Sequence, residues 1–81
     1  MEQDILKIRW LEVAIQIKQL RKKNALTQLE FSKRAGVGLR FVRELEKGKI
    51  TIRTDKLMQV LNFLGYHLEL KINEPIMRSK I

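Results

Sequence analysis

The sequence predicts a small, mainly helical domain of about four helices plus one C-terminal β-strand. Three observations carry that expectation. Residues 27–48, TQLEFSKRAGVGLRFVRELEKG, read as two short capped helices joined by a tight turn. The segments on either side repeat apolar residues at three- and four-residue steps, the mark of an amphipathic helix. Residues 66–72, YHLELKI, alternate strictly between apolar and polar, the mark of a strand with one buried side.

A chain of 81 residues makes one domain. A core of that size is marginal for a lone monomer, so help from a partner chain is expected. There are no cysteines, hence no disulfide framework and no Cys-based metal site, which fits a reducing cytoplasm. No apolar run reaches the roughly 18 residues that a membrane-spanning helix needs. The first ten residues, MEQDILKIRW, are acidic at their start and lack a signal-peptide layout. No internal repeat or low-complexity tract is present.

In chain order, the first helix is expected to start between Asp4 and Ile8, after a frayed beginning, and to end at Lys22 or Lys23. Trp10, Ala14, Ile17 and Leu20 form its apolar stripe, with Leu6 and Val13 beside them. Leu11 and Ile15 fall off that stripe. They are either a second face for a partner chain or ordinary exposed apolar residues. Trp10 is assigned to core or dimer-interface packing rather than to function. Arg21, Lys22 and Lys23 suit the helix C-terminus, and Leu26 can staple to Phe31 across Thr27.

Thr27 and Glu30 then make a capping box, T-Q-L-E. Phe31, Ser32 and Ala35 share a face, Gly36 ends the helix, and Val37 plugs the turn. The next helix runs from about Leu39 to Lys47 with Phe41, Val42 and Leu45 inward, and Gly48 closes it. Within KITIR at residues 49–53, Ile52 is the better candidate for burial than Ile50. Thr54 is expected to cap the last helix, with Asp55 at its first position. Its stripe is Leu57, Met58, Val60, Leu61 and Leu64, and Gly65 ends it. Tyr66, Leu68, Leu70 and Ile72 then line the apolar side of the strand. A lone strand leaves its backbone groups unpaired. The economical partner is the same strand of a second copy in a twofold dimer; the alternatives are pairing with the Ile50–Ile52 segment, or a C-terminal segment that is not a strand in solution. Residues 1–72 therefore form the domain, and 73–81 a short basic tail.

Helix, tight turn with glycine at its start, helix is the helix-turn-helix pattern, whose second helix enters the DNA major groove. Charge separates it from an ordinary helix corner. Between Lys18 and Arg53 stand eleven basic residues against three acidic ones. The rest of the chain carries six of each sign, so the whole net charge of +8 lies on the motif and its flanks. That favours a polyanion, and DNA over a membrane surface, because no single helix has a long basic face. Leu39, Arg40, Arg43 and Glu44 form the outward side of the second helix. Arginine bidentate to guanine is the commonest specific contact, which makes Arg40 and Arg43 the main base readers. Leu39 can meet a thymine methyl. Glu44 can accept from cytosine or orient Arg40 at i, i+4. Lys33, Lys47, Lys49 and Arg53 are the candidate phosphate contacts.

From Leu26 to Leu70 the chain resembles the lambda-repressor-like, XRE-type helix-turn-helix family, and within it the HipB-like antitoxins of type II toxin–antitoxin modules. The residues that carry the likeness are LTQ–F–AGV at 26–37, RFVRELEKGK at 40–49 and TIRTDKL-x-x-VL-x-x-LG at 51–65, followed at once by the amphipathic strand. The resemblance implies a homodimer held by C-terminal strands and an inverted-repeat operator on double-stranded DNA upstream of the protein's own operon. It also implies capture of a HipA-like kinase toxin. It places Gln28 on a phosphate and pairs Arg21 with Glu46 in a structural ion pair. The chain departs from the family at Gly38, where a polar cap is usual, and at Leu39, which is apolar. Gly at an N-cap costs only a few tenths of a kcal/mol, so the departures touch base preference rather than fold.

An enzyme is not expected. The single histidine, His67, lies on the polar side of the strand with no second histidine and no recognisable carboxylate pair. No cofactor and no metal are expected, and the location is cytoplasmic, on the nucleoid. The antitoxin reading stands beside two alternatives: a free-standing XRE-type repressor without a toxin, and a protein-interaction module that has lost DNA binding.

Overall fold

The first twenty-odd residues hold no proline or glycine to break a helix. In the computed structural model, which describes residues 2–69, α1 spans Glu2–Lys23. Periodicity alone places its start between Asp4 and Ile8. The helix begins earlier because nothing in those residues stops it, and Asp4 complements the positive end of the helix dipole. Ala14 and Ile17 are buried, and Trp10 and Leu20 are half-buried. Leu6 and Val13 are exposed, contrary to their expected place in the stripe, since no described element covers them.

Three further helices follow: α2 at Gln28–Ala35, α3 at Leu39–Glu46 and α4 at Thr54–Leu64. α2 packs on both α3 and α4, and α1 packs on α3. Phe31 sits at the centre, fully buried, with Val42 and Leu45 of α3 and Val60 of α4 in the same cluster. Leu26 and Val37, one before α2 and one after it, close the cluster from its two ends. Ile52 packs against it while Ile50 is exposed.

All four helices stop in one way. A residue of positive φ follows each, and the next N–H reaches back five residues: Leu26 to Arg21, Val37 to Ser32, Lys49 to Glu44 and Tyr66 to Leu61. This is the Schellman arrangement, which satisfies carbonyls that the helix leaves open. Glycine occupies three of the left-handed positions, but Ala25 (φ 57°) occupies the first. A left-handed alanine costs about 1–2 kcal/mol. Leu26 offsets this by bonding back to α1 twice: its N–H donates to the Arg21 carbonyl, and its own carbonyl accepts from Arg21 Nη1 at 2.7 Å.

The start of α2 follows its sequence signal closely. Thr27 Oγ1 accepts the Glu30 N–H at 3.1 Å, and Glu30 Oε1 accepts the Thr27 N–H at 2.8 Å. The backbone bond from Thr27 keeps the Glu30 carboxyl below its usual pKa, so it is ionised at neutral pH. Replacing Thr27 with alanine should cost about 1 kcal/mol, as for other lost caps, read as a lower urea midpoint at unchanged slope.

Two expectations about α4 need correction. Thr54 is its first helical residue, and the capping position falls to Arg53, which makes no side-chain cap. Asp55 takes over the local polar work. Its Oδ1 accepts the Lys56 N–H at 2.9 Å, and its carboxylate holds Arg53. Met58 is exposed rather than in the stripe; Phe63 is exposed too, although its ring comes within 5.7 Å of that of Phe31. Beyond Gly65, residues 66–69 form no strand, and Tyr66 and Leu68 are exposed. Leu70, Ile72 and the tail at 73–81 lie outside the described residues. None of the described helices is long and apolar enough to cross a membrane.

Candidate nucleic-acid interface

An eight-residue helix has little stability of its own, so α3 must be fixed by what it packs on. Val42 and Leu45 are fully buried, and Phe41 is half-buried against the core. Its first turn has no side-chain cap, as Gly38 dictates. Its end is fastened by charge. Arg21 Nε meets Glu46 Oε2 at 2.6 Å, and Arg21 Nη2 meets Glu46 Oε1 at 3.0 Å, a bidentate pair. The side chains are 9% and 3% exposed. The third guanidinium nitrogen holds the Leu26 carbonyl, and Gln28 Nε2 donates to Glu46 Oε1 at 3.1 Å. One buried network thus ties the end of α1, the start of α2 and the end of α3. No buried side-chain nitrogen or oxygen among the described residues lacks a partner.

With that side buried, Arg40, Arg43 and Lys47 stand exposed at three- and four-residue steps along α3, and Leu39 is half-buried at its start. Arg40 Nε lies 3.4 Å from Glu44 Oε2, and Lys49 Nζ lies 3.2 Å from the same oxygen. The hydrogen bond from Lys49, with Arg40 assisting, holds the Glu44 carboxyl below its ordinary pKa. Glu44 is therefore charged at neutral pH and engaged with two cations. Arg43, Lys33, Arg34 and Lys47 make no ion pair among the described residues, whereas Arg53 pairs with Asp55 at 2.7 Å. Gln28 stands at the first position of α2, half-buried. A side-chain amide carries two N–H donors, so one remains beside the bond to Glu46.

Two contacts had no sequence signal. Trp10 Nε1 donates to the Lys49 carbonyl at 2.9 Å, across 39 residues of chain. Gln59 Nε2 reaches the Gly36 carbonyl at 3.3 Å, tying α4 to the turn between α2 and α3. Trp10 packs against the core, as its place in the apolar stripe predicts. Its N–H has the further role.

A capped helix, a tight turn, and a second helix buried on one side and basic on the other define a DNA-binding helix-turn-helix protein. The family model described as Helix-turn-helix matches residues 17–71. An uncharacterized HTH-type transcriptional regulator, y4mF of Sinorhizobium fredii, is 39% identical over 59 residues, which cover 73% of this chain and 78% of that protein. The chain belongs to the helix-turn-helix family.

Proposed function

We propose that this protein is a transcriptional regulator that binds an inverted-repeat operator as a homodimer in the cytoplasm, represses its own operon and neutralises a HipA-like kinase toxin. The observation that carries the DNA-binding part is the outer side of α3. Arg43 and Lys47 are exposed and free of ion pairs among the described residues, on a helix whose other side is locked to α2 and α1. The name of the Sinorhizobium relative supports the regulator class. The antitoxin part is supported by the run of resemblance at residues 26–70. The same name favours the plainer reading as well, a repressor without a toxin, and a kinase-like reading frame beside the gene decides between them. Exposed, unpaired Arg43 weighs against a module that has lost DNA binding. The proposed role is one of binding and calls for no catalytic group or cofactor.

Binding-site selection on the wild-type chain and on Arg43→Ala tests this. Arg43→Ala should lose about 1–3 kcal/mol of specific affinity and relax preference at one position of each half-site. Arg40→Ala should lose less, because Glu44 already holds its Nε. A wild-type chain that enriches no sequence would end the proposal.

The dimer is supported by a mainly apolar groove of about 310 Å³ between α1 and α4, where Val13, Ile17, Leu20, Leu61 and Tyr66 meet the polar Gln16, Gln19 and Lys23. Tyr66, the first apolar residue of the alternating segment, is part of its lining. Lysine at both Leu68 and Leu70 should give a monomer in sedimentation that keeps its helical circular dichroism. A doubly substituted chain that stays dimeric would move the interface to Leu11 and Ile15.

A further inference from the structure

The matched family region begins at residue 17, so the first four turns of α1 lie outside it. Those turns nevertheless touch the loop that leaves α3, at two adjacent points. The Trp10 indole donates to the Lys49 carbonyl at 2.9 Å. One residue along, Leu11 lies against Gly48, where an added Cβ would come within 2.9 Å of Leu11 Cδ1. Gly48 also has φ +84°, which L side chains rarely adopt. The turn therefore favours glycine there, and a side chain in its place would also push the end of Leu11 aside.

The effect converges on one residue. Lys49 N donates to the Glu44 carbonyl at 3.1 Å, Lys49 O accepts from Trp10, and Lys49 Nζ meets the Glu44 carboxylate at 3.2 Å. The N–H and the carbonyl of Lys49 are both held, which fixes where its side chain leaves the backbone. Once the ammonium leaves Glu44, a side chain on a fixed backbone binds a phosphate with less ordering cost than one on a free loop. We infer that the N-terminal part of α1 belongs to the DNA-binding device: Trp10 and Leu11 are positioning residues that hold Lys49 at a backbone phosphate. The inference rests on the DNA-binding reading proposed above.

The test is a double-mutant cycle between Trp10→Phe and Lys49→Ala, on full-length protein and a short mixed-sequence duplex. Phenylalanine keeps a ring for packing and removes the indole N–H. Trp10→Phe should weaken binding several-fold and reduce the magnitude of the log–log salt slope by about one per protomer, the signature of one lost phosphate contact. In the Lys49→Ala background it should change neither affinity nor slope. Leu11→Ala should behave in the same way, and it serves if Trp10→Phe is unfolded by circular dichroism. Equal losses in both backgrounds would overturn the inference, because Trp10 would then act on stability alone. So would a wild-type slope in Trp10→Phe. A wild-type chain that binds no duplex at all would remove the DNA-binding reading and this inference together, whereas wild-type binding with additive effects removes only the inference.

Discussion

Replacing Arg21 with alanine should destabilise the domain by about 3–5 kcal/mol, the usual result of removing one partner from a buried ion pair. The guanidinium supplies three contacts: two to Glu46 and one to the Leu26 carbonyl. Its loss leaves a carboxylate whose side chain is 3% exposed, with only Gln28 Nε2 for support. It also leaves the Leu26 carbonyl without its partner, next to the left-handed Ala25. For a domain of this size the loss is a large share of the total stability. Guanidinium chloride unfolding followed by circular dichroism reads it directly. Removing both charges, as Arg21→Met with Glu46→Leu, should cost far less than the single change, since apolar replacement of a buried pair is often neutral. A single-mutant loss under about 1 kcal/mol would make the pair equivalent to an exposed surface bridge.

That network also shows what can be read from the chain alone. The α2–turn–α3 unit was legible because its signals are local: Thr27 and Glu30 three residues apart, Gly36 at the left-handed end, Val42 and Leu45 at helical spacing. Met58 was harder. It falls in the apolar stripe at helical spacing yet is exposed, because whether another element covers a residue is decided outside its own helix. Thr54 has a capping side chain, yet the chain enters α4 one residue earlier, and Asp55 bonds the next N–H instead. Periodicity reports a residue's face on its own helix and is silent about distant partners.

The same limit applies to the candidate interface. Arg40, Arg43 and Lys47 could be placed outward from the buried residues between them. That Glu44 holds both Arg40 and Lys49 was half-legible, because the first is an i, i+4 neighbour and the second lies beyond a turn. The bond from Trp10 to Lys49 joins residues 39 apart and leaves no pattern in sequence. The alternation at residues 66–72 marks an apolar side but does not name the partner that a ladder requires. Residues 66–69 form no strand within one chain.

Operator affinity should fall about ten-thousandfold between roughly 50 and roughly 200 mM monovalent salt, the drop for a dimer with about eight phosphate contacts. The number follows from the charge layout. Lys33 and Arg34 on α2 and Lys47 at the end of α3 have no carboxylate partner among the described residues, and Arg43 is kept for the bases. Lys49 makes the fourth cation once it leaves Glu44, while the free N–H of Gln28 can bond a phosphate without neutralising it. About four contacts per protomer is the resulting figure, and each releases slightly less than one counterion, for a slope near −7. Twofold symmetry would set the two α3 helices about one DNA turn, roughly 34 Å, apart. Removing Glu44's charge sharpens the prediction. Glu44→Gln frees Arg40 and Lys49 from their shared carboxylate, so binding to any sequence should tighten and the slope should steepen. Specificity should shrink, because the added affinity does not depend on the bases. Fluorescence anisotropy titrations across salt, on a selected operator and on a scrambled duplex, provide both slopes. A wild-type slope shallower than about −2 on the operator would be too small for a dimer of this charge and would exclude groove binding through α3.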